Sequence, residues 1–90
     1  MGYQPDPEEQ TIASEERWLV WRLIETIEAT ARVVFIAHEI MEMSMEEIVH
    51  TLGIPRSTGR SRLQRARKEL TTALQKHRAR ETFALARKRR

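Results

Sequence analysis

SMEEIVHTLGIPRSTGRSRLQRARKEL, residues 44–70, reads as two helices joined by a tight turn. Ser44-Met45-Glu46-Glu47 forms a capping box. The Ser44 side chain can accept from the backbone N–H of Glu47, and the Glu47 carboxylate can reach back to the N–H of Ser44, with Met43 and Ile48 placed as a hydrophobic staple. The helix so started runs from Met45 to Thr51 or Leu52, with Ile48, Val49 and Leu52 apolar. It stops at Gly53, the residue type that takes a left-handed conformation without steric cost. Ile54-Pro55 then restarts the chain, because Pro suits a helix start and disfavours continuing the helix before it. Helices joined this tightly cross steeply, as in a helix-turn-helix.

In the second helix Gly59, Leu63, Ala66, Leu70 and Ala73 or Leu74 fall on one stripe at a spacing of three or four. At about 100° per residue, Ser57, Ser61, Gln64, Arg65 and Lys68 lie opposite that stripe, with Arg60 on one shoulder and Thr58 on the other. Hydroxyls, an amide and cations suit a major groove. Arg forks onto guanine O6 and N7, Gln pairs with adenine N6 and N7, and Ser or Thr bond phosphates or bases. The first turn of this helix also directs free backbone N–H groups outward, where they suit phosphate. The plainer reading is a solvated basic face, since a charge run alone says little. The capped first helix and the Gly-Ile-Pro turn favour DNA recognition over it.

Charge is split along the chain. The formal net charge is +3, but residues 1–55 carry three Arg against eleven acids, a net −8, and residues 56–90 carry thirteen Lys and Arg against Glu69 and Glu81, a net +11. Such asymmetry points to a polyanion-binding half joined to an acidic half facing something else. Ninety residues with 40% apolar content bound one small domain of modest stability. The absence of cysteine excludes disulfides and thiolate sites and fits a reducing cytoplasm. No apolar run is long enough to span a membrane, and MGYQPDPEEQ lacks the features of a signal peptide. His38, His50 and His77 are isolated, without metal-ligand spacing, and no nucleophile, base and orienting group form a set. The expectation is a chain that is not an enzyme and needs no cofactor.

Upstream, residues 1–13, with Pro5, Pro7 and a small acidic cluster, read as a linker or disordered lead. Ser14 reads as an N-cap, with Glu15 and Glu16 in the first turn of a helix ending near Ile27 or Glu28. Trp18 and Trp21 are assigned to its core face in preference to a binding surface. A second helix from about Ala29 to Met41 is apolar nearly all round: Ala31, Val34, Phe35 and His38 share one face, and Val33, Ile36 and Ile40 the other. The first and last helices are expected to cover both faces, in preference to a docked partner protein. Downstream, residues 77–90 read as a basic helical extension or tail, assigned to solubility rather than phosphate contact.

Ser44, Glu47, Ile48, Leu52-Gly53-Ile54-Pro55, Thr58, Arg60-Ser61-Arg62-Leu63, Arg65-Ala66-Arg67 and Leu70 together resemble region 4 of bacterial RNA polymerase sigma factors of the extracytoplasmic function group. Ile27 and Arg32 to Phe35 extend the likeness upstream, so that it covers about residues 14–76. The resemblance implies an all-α, four-helix domain without winged strands, a cytoplasmic protein, and recognition of double-stranded promoter DNA at the −35 element. It also implies core RNA polymerase as partner, through the flap of its beta subunit, and an anti-sigma factor as a further one; no membrane is implied. By position it carries base reading to Arg60, Ser61, Gln64 and Arg65, and phosphate contact to Thr58 and Arg56; Ser57 and Lys68 join them from the helical wheel. Nothing in residues 1–90 resembles the sigma domain that melts the −10 element, so these residues alone are not expected to start transcription. Two other readings stay open: the output domain of a response-regulator-type activator, and a sigma-like module that binds protein without reading DNA.

Four positions depart from the family pattern. Glu28 replaces a turn Pro and Glu42 a helix-ending Gly, so each turn needs another solution, in the second case a strained non-Gly residue. Val49 stands where a small Ala is usual and Gly59 where Val is usual. The expectation is that Val49 fills the space left at Gly59, since cores tolerate swaps that conserve volume. Arg62 and Arg67, nearer the core stripe, are expected either to stay free or to pair with acids such as Glu46 or Glu47.

Overall fold

Four helices, α1 (Ile12–Ile24), α2 (Ala29–Phe35), α3 (Met45–Leu52) and α4 (Arg56–Lys88), make up the computed structural model, and a single π turn, Ile36–Ile40, continues α2. The structure describes residues 12–89, and among these there is no strand, so the fold is all-α and without a wing. The expected linker at residues 1–13 falls, apart from Ile12 and Ala13, outside the described residues.

The core forms where α2 meets the other helices. Ala31, Val34 and Phe35 of α2 are buried against Ile24 of α1, Ile27 of the following turn, Ile48 of α3, and Leu63 and Ala66 of α4. Gly59, Leu63 and Ala66, the stripe expected for the long helix, are its buried residues, and Leu70 packs beside them. Because the stripe is set by the 3.6-residue repeat, the opposite face of α4 is left to solvent.

Several upstream expectations need correction. Ser14 is not an N-cap: α1 starts at Ile12, and Ser14 is buried within it, accepting from Arg17 at 3.4 Å. The helix stops at Ile24 rather than Ile27, because Glu28 must leave helical geometry (φ −54°, ψ 139°) to cap α2. The intervening turn closes through Thr26 N–H to Leu23 O and Ile27 N–H to Ile24 O, both 3.0 Å, and turns Ile27 inward. Trp18 is 42% exposed and therefore not core; only Trp21 packs on the cluster, since α1 offers one narrow stripe to its neighbours. Nor is α2 covered on both faces. Val33 and Ile40 are 50% and 44% exposed, because the cluster buries the Ala31–Val34–Phe35 side and, of the other face, reaches only Ile36.

Both departures at the turns find physical solutions. The Glu28 carboxylate accepts from the N–H groups of Thr30 and Ala31, each at 3.1 Å, and from the Thr30 hydroxyl at 2.5 Å. It replaces a turn Pro with an N-cap. Glu42 takes φ 56°, the expected left-handed non-Gly residue, at a cost of about 1 kcal/mol. Met43 N–H to Ala37 O, 3.0 Å, closes the chain over it.

Residues 44–60 follow the sequence closely. Ser44 accepts from Glu47 N–H at 3.1 Å; the Glu47 carboxylate meets the Ser44 hydroxyl at 3.2 Å instead of the expected Ser44 N–H. Gly53 sits at φ 66°, ψ 36°, with its N–H on His50 O (3.3 Å) and Ile54 N–H on Val49 O (3.1 Å). These two bonds define a Schellman end, which satisfies the last carbonyls of α3. Pro55 is the N-cap of α4, one position earlier than the first helical turn. A Cβ placed on Gly59 would meet Val49 Cγ1 at 2.6 Å and Met45 Sδ at 2.8 Å, so Val49 does occupy that space, together with Met45.

Candidate nucleic-acid interface

α4 runs unbroken for 33 residues, and its first four turns carry the candidate DNA-facing set. Arg56, Ser57, Arg60, Ser61, Gln64, Arg65 and Lys68 are exposed, while Thr58 is half-buried. Core packing through Gly59, Leu63 and Ala66 fixes the rotation of the helix, so these side chains share the solvent side. A shallow recess of about 420 Å³ brings Ser57, Thr58, Ser61 and Arg65 together with two residues the sequence did not assign to the face, Thr30 and Arg62. Arg62 stands beside Thr58 on the helical wheel and was within reach of sequence reasoning. Thr30 was not, because only the packing of α2 on α4 brings it there.

The cations of this face differ in what neutralises them. Arg56 lies 3.6 Å from Glu46. Arg65 donates its Nε to Glu69 at 3.1 Å and has a terminal nitrogen 3.9 Å from Glu28. Of the two outcomes left open for Arg67 it pairs with an acid, but the acid is Glu39 of the π turn, with Nε at 3.1 Å, rather than Glu46 or Glu47. The reason is placement: Arg67 points toward α2, whereas α3 lies against the start of α4. Among the described residues no carboxylate lies within ion-pair distance of Arg60, Arg62 or Lys68. Those three leave their full charge available to an incoming polyanion, and at exposed positions the pairing of the others is weak.

Glu28 anchors one end of the arrangement. The Thr30 hydroxyl, followed by the N–H groups of Thr30 and Ala31, stabilises its charged form and lowers its pKa from 4.5 to about 2. Glu39 is also lowered, first through its hydrogen bond to Arg67. Since Glu28 binds its proton more weakly folded than unfolded, its contribution is complete above the unfolded value of 4.5 and is lost as pH falls toward about 2. Urea midpoints measured across pH 6 to pH 2 should therefore decline, and Glu28→Gln should flatten that decline; an equal slope in both chains would contradict the assignment.

Among the described residues no three of His, Asp or Glu gather where they could hold a metal ion, and no helix is long and apolar enough to cross a membrane. A family model described as Sigma-70, region 4 matches residues 17–70. It begins within α1 and ends in α4 just past the exposed cationic face. No curated protein and no solved structure matches the chain.

Proposed function

The chain belongs to the sigma-70 region 4 family, and we propose that it reads a −35-type promoter element in double-stranded DNA as the region 4 domain of a cytoplasmic, extracytoplasmic-function type sigma factor. The observation that carries this reading is the exposed face of α4, where Arg60, Ser61 and Gln64 stand clear of the core and, among the described residues, no acid pairs with Arg60. In this reading Arg60, Ser61, Gln64 and Arg65 meet base edges, and Arg56, Ser57, Thr58 and Lys68 meet phosphates. The family is one of DNA-binding regulatory domains rather than catalysts.

A protein partner belongs to the same proposal. Val33, Ile40 and Met41 leave apolar surface on the side of α2 away from the core, and core RNA polymerase, through its beta flap, is its proposed occupant, with an anti-sigma factor as competitor for it. Exposed apolar side chains of this kind mark contact surfaces when they adjoin one another.

Selection of duplexes from a random-sequence pool by the chain tests the DNA reading. The expected product is an asymmetric site bound by one copy, with log affinity falling linearly in log salt at about −0.9 per phosphate neutralised. Enrichment of a palindrome bound by two copies would favour a response-regulator-type output domain. No enrichment at all, with polymerase still bound, would leave a protein-binding module.

A further inference from the structure

Arg65 is tied to two carboxylates that stand on different elements. Its Nε donates to Glu69 Oε1 at 3.1 Å, one turn along α4, and a terminal nitrogen lies 3.9 Å from Glu28 Oε2 at the start of α2. The second oxygen of Glu69 accepts the backbone N–H of Glu28 at 3.1 Å. Glu28 in turn is held by three bonds from Thr30 and Ala31. The carboxylate of Glu69 therefore has one oxygen on a fixed backbone group and the other on the guanidinium. An exposed Arg has several rotatable bonds and many directions to point; this one is referenced to the N-terminus of α2.

We propose that Glu69 is a positioning residue for sequence discrimination, acting through Arg65: it holds the guanidinium so that the terminal edge faces the major groove, without itself touching DNA. The inference rests on the proposed DNA reading of α4. With Nε engaged, the fork left to a base is the end-on pair of terminal nitrogens, the geometry that meets guanine O6 and N7. The same pair lowers the electrostatic contribution of Arg65, because Glu28 and Glu69 bring two negative charges to one positive. Sequence-independent attraction then depends more on Arg60, Arg62 and Lys68, which have no such acids among the described residues. Glu69 thus trades general affinity for discrimination, and the two effects have opposite signs.

The substitution Glu69→Gln separates them. Its amide oxygen can still accept the Glu28 N–H, so the turn keeps its bond while the charge and the strong acceptor for Arg65 are lost. Two probes suffice: a duplex selected by the wild-type chain from a random-sequence pool, and the unselected pool. The ratio of affinities should fall about 10-fold, the scale of one bidentate base contact, while affinity for the pool should rise about 2-fold at low salt as a negative charge leaves the phosphates. In an Arg65→Gln background, Glu69→Gln should leave the ratio unchanged. A residue of merely structural importance would lower both affinities together. An unchanged or increased ratio in the E69Q chain, or an equal fall in the Arg65→Gln background, overturns the inference while leaving the DNA reading intact. A wild-type chain that selects nothing overturns both. If E69Q melts below the assay temperature, Glu69→Asp carries the test: it keeps the charge, but its shorter side chain cannot span the Glu28 N–H and the Arg65 Nε together, so the ratio should again fall about 10-fold with pool affinity retained, and a retained ratio overturns the inference.

Discussion

Arg60→Glu is expected to lose on the order of 100-fold or more in affinity for the selected duplex at about 0.1 M salt. The loss has two parts. A bidentate contact between Arg and a base edge is worth about 1–3 kcal/mol of discrimination, and reversing the charge places a carboxylate where phosphates crowd, which reduces the salt slope by about one to two units. The fold should be indifferent. Arg60 is exposed, its side chain has no ion pair or hydrogen bond among the described residues, and Glu has nearly the helix propensity of Arg. Far-UV circular dichroism and the urea midpoint should therefore match the wild type. Arg56→Glu is a useful contrast, because Arg56 already faces Glu46 at 3.6 Å and so offers less net charge to DNA; its loss should be several-fold smaller. Equal binding by wild type and the Arg60→Glu chain would remove α4 as the reading surface.

How much of this was legible beforehand depends on the range over which each feature is decided. The cap at Ser44, the left-handed Gly53 and the start of α4 after Pro55 are settled within three or four residues, and α3 came out at Met45–Leu52 as its sequence suggests. The outward face of α4 was equally accessible, because a single helix with a marked apolar stripe fixes its own rotation. Ser14 shows where local signals mislead. A Ser followed by two acids has the composition of a cap, but capping requires the chain to leave the helix there, and Ile12-Ala13 contains nothing that makes it leave. The π turn at Ile36–Ile40 has no sequence mark at all, since Ile-Ala-His-Glu-Ile is acceptable in any helix.

Features decided by packing were out of reach. A helical wheel shows that Arg65 points outward and that Arg67 lies nearer the core stripe, but not that Glu28 and Glu39 stand opposite them, the latter 28 positions away. Trp18 failed for the same reason. Its size argues for burial, yet whether a large side chain on α1 is covered depends on how many elements flank that helix, and too few do. The candidate site was therefore readable as a set of residues, while the pairing that tunes its charge was not.

Gly59 is where local and tertiary reasoning meet, and it supplies the second large effect. Glycine in a helix interior costs about 1 kcal/mol relative to Ala, so Gly59→Ala would be stabilising if space allowed. It does not: the new Cβ would sit 2.6 Å from Val49 Cγ1 and 2.8 Å from Met45 Sδ. The Met45 thioether is flexible and can turn aside, whereas the β-branched Val49 on α3 has little rotameric freedom, so α3 itself must shift. Overpacking of this kind costs about 1–3 kcal/mol, and Gly59→Val should fall at the upper end, about 3 kcal/mol, a large part of the stability of so small a domain. Because the strain is shared between two named side chains, Val49→Ala should relieve it. The double change Val49→Ala with Gly59→Val restores the volume distribution usual in the family and should recover most of the loss, giving a coupling energy on the order of 2 kcal/mol in a double-mutant cycle measured by urea unfolding. Additive effects would mean that α3 and α4 are not in contact at this point, and the close approach that positions α4 would need another cause.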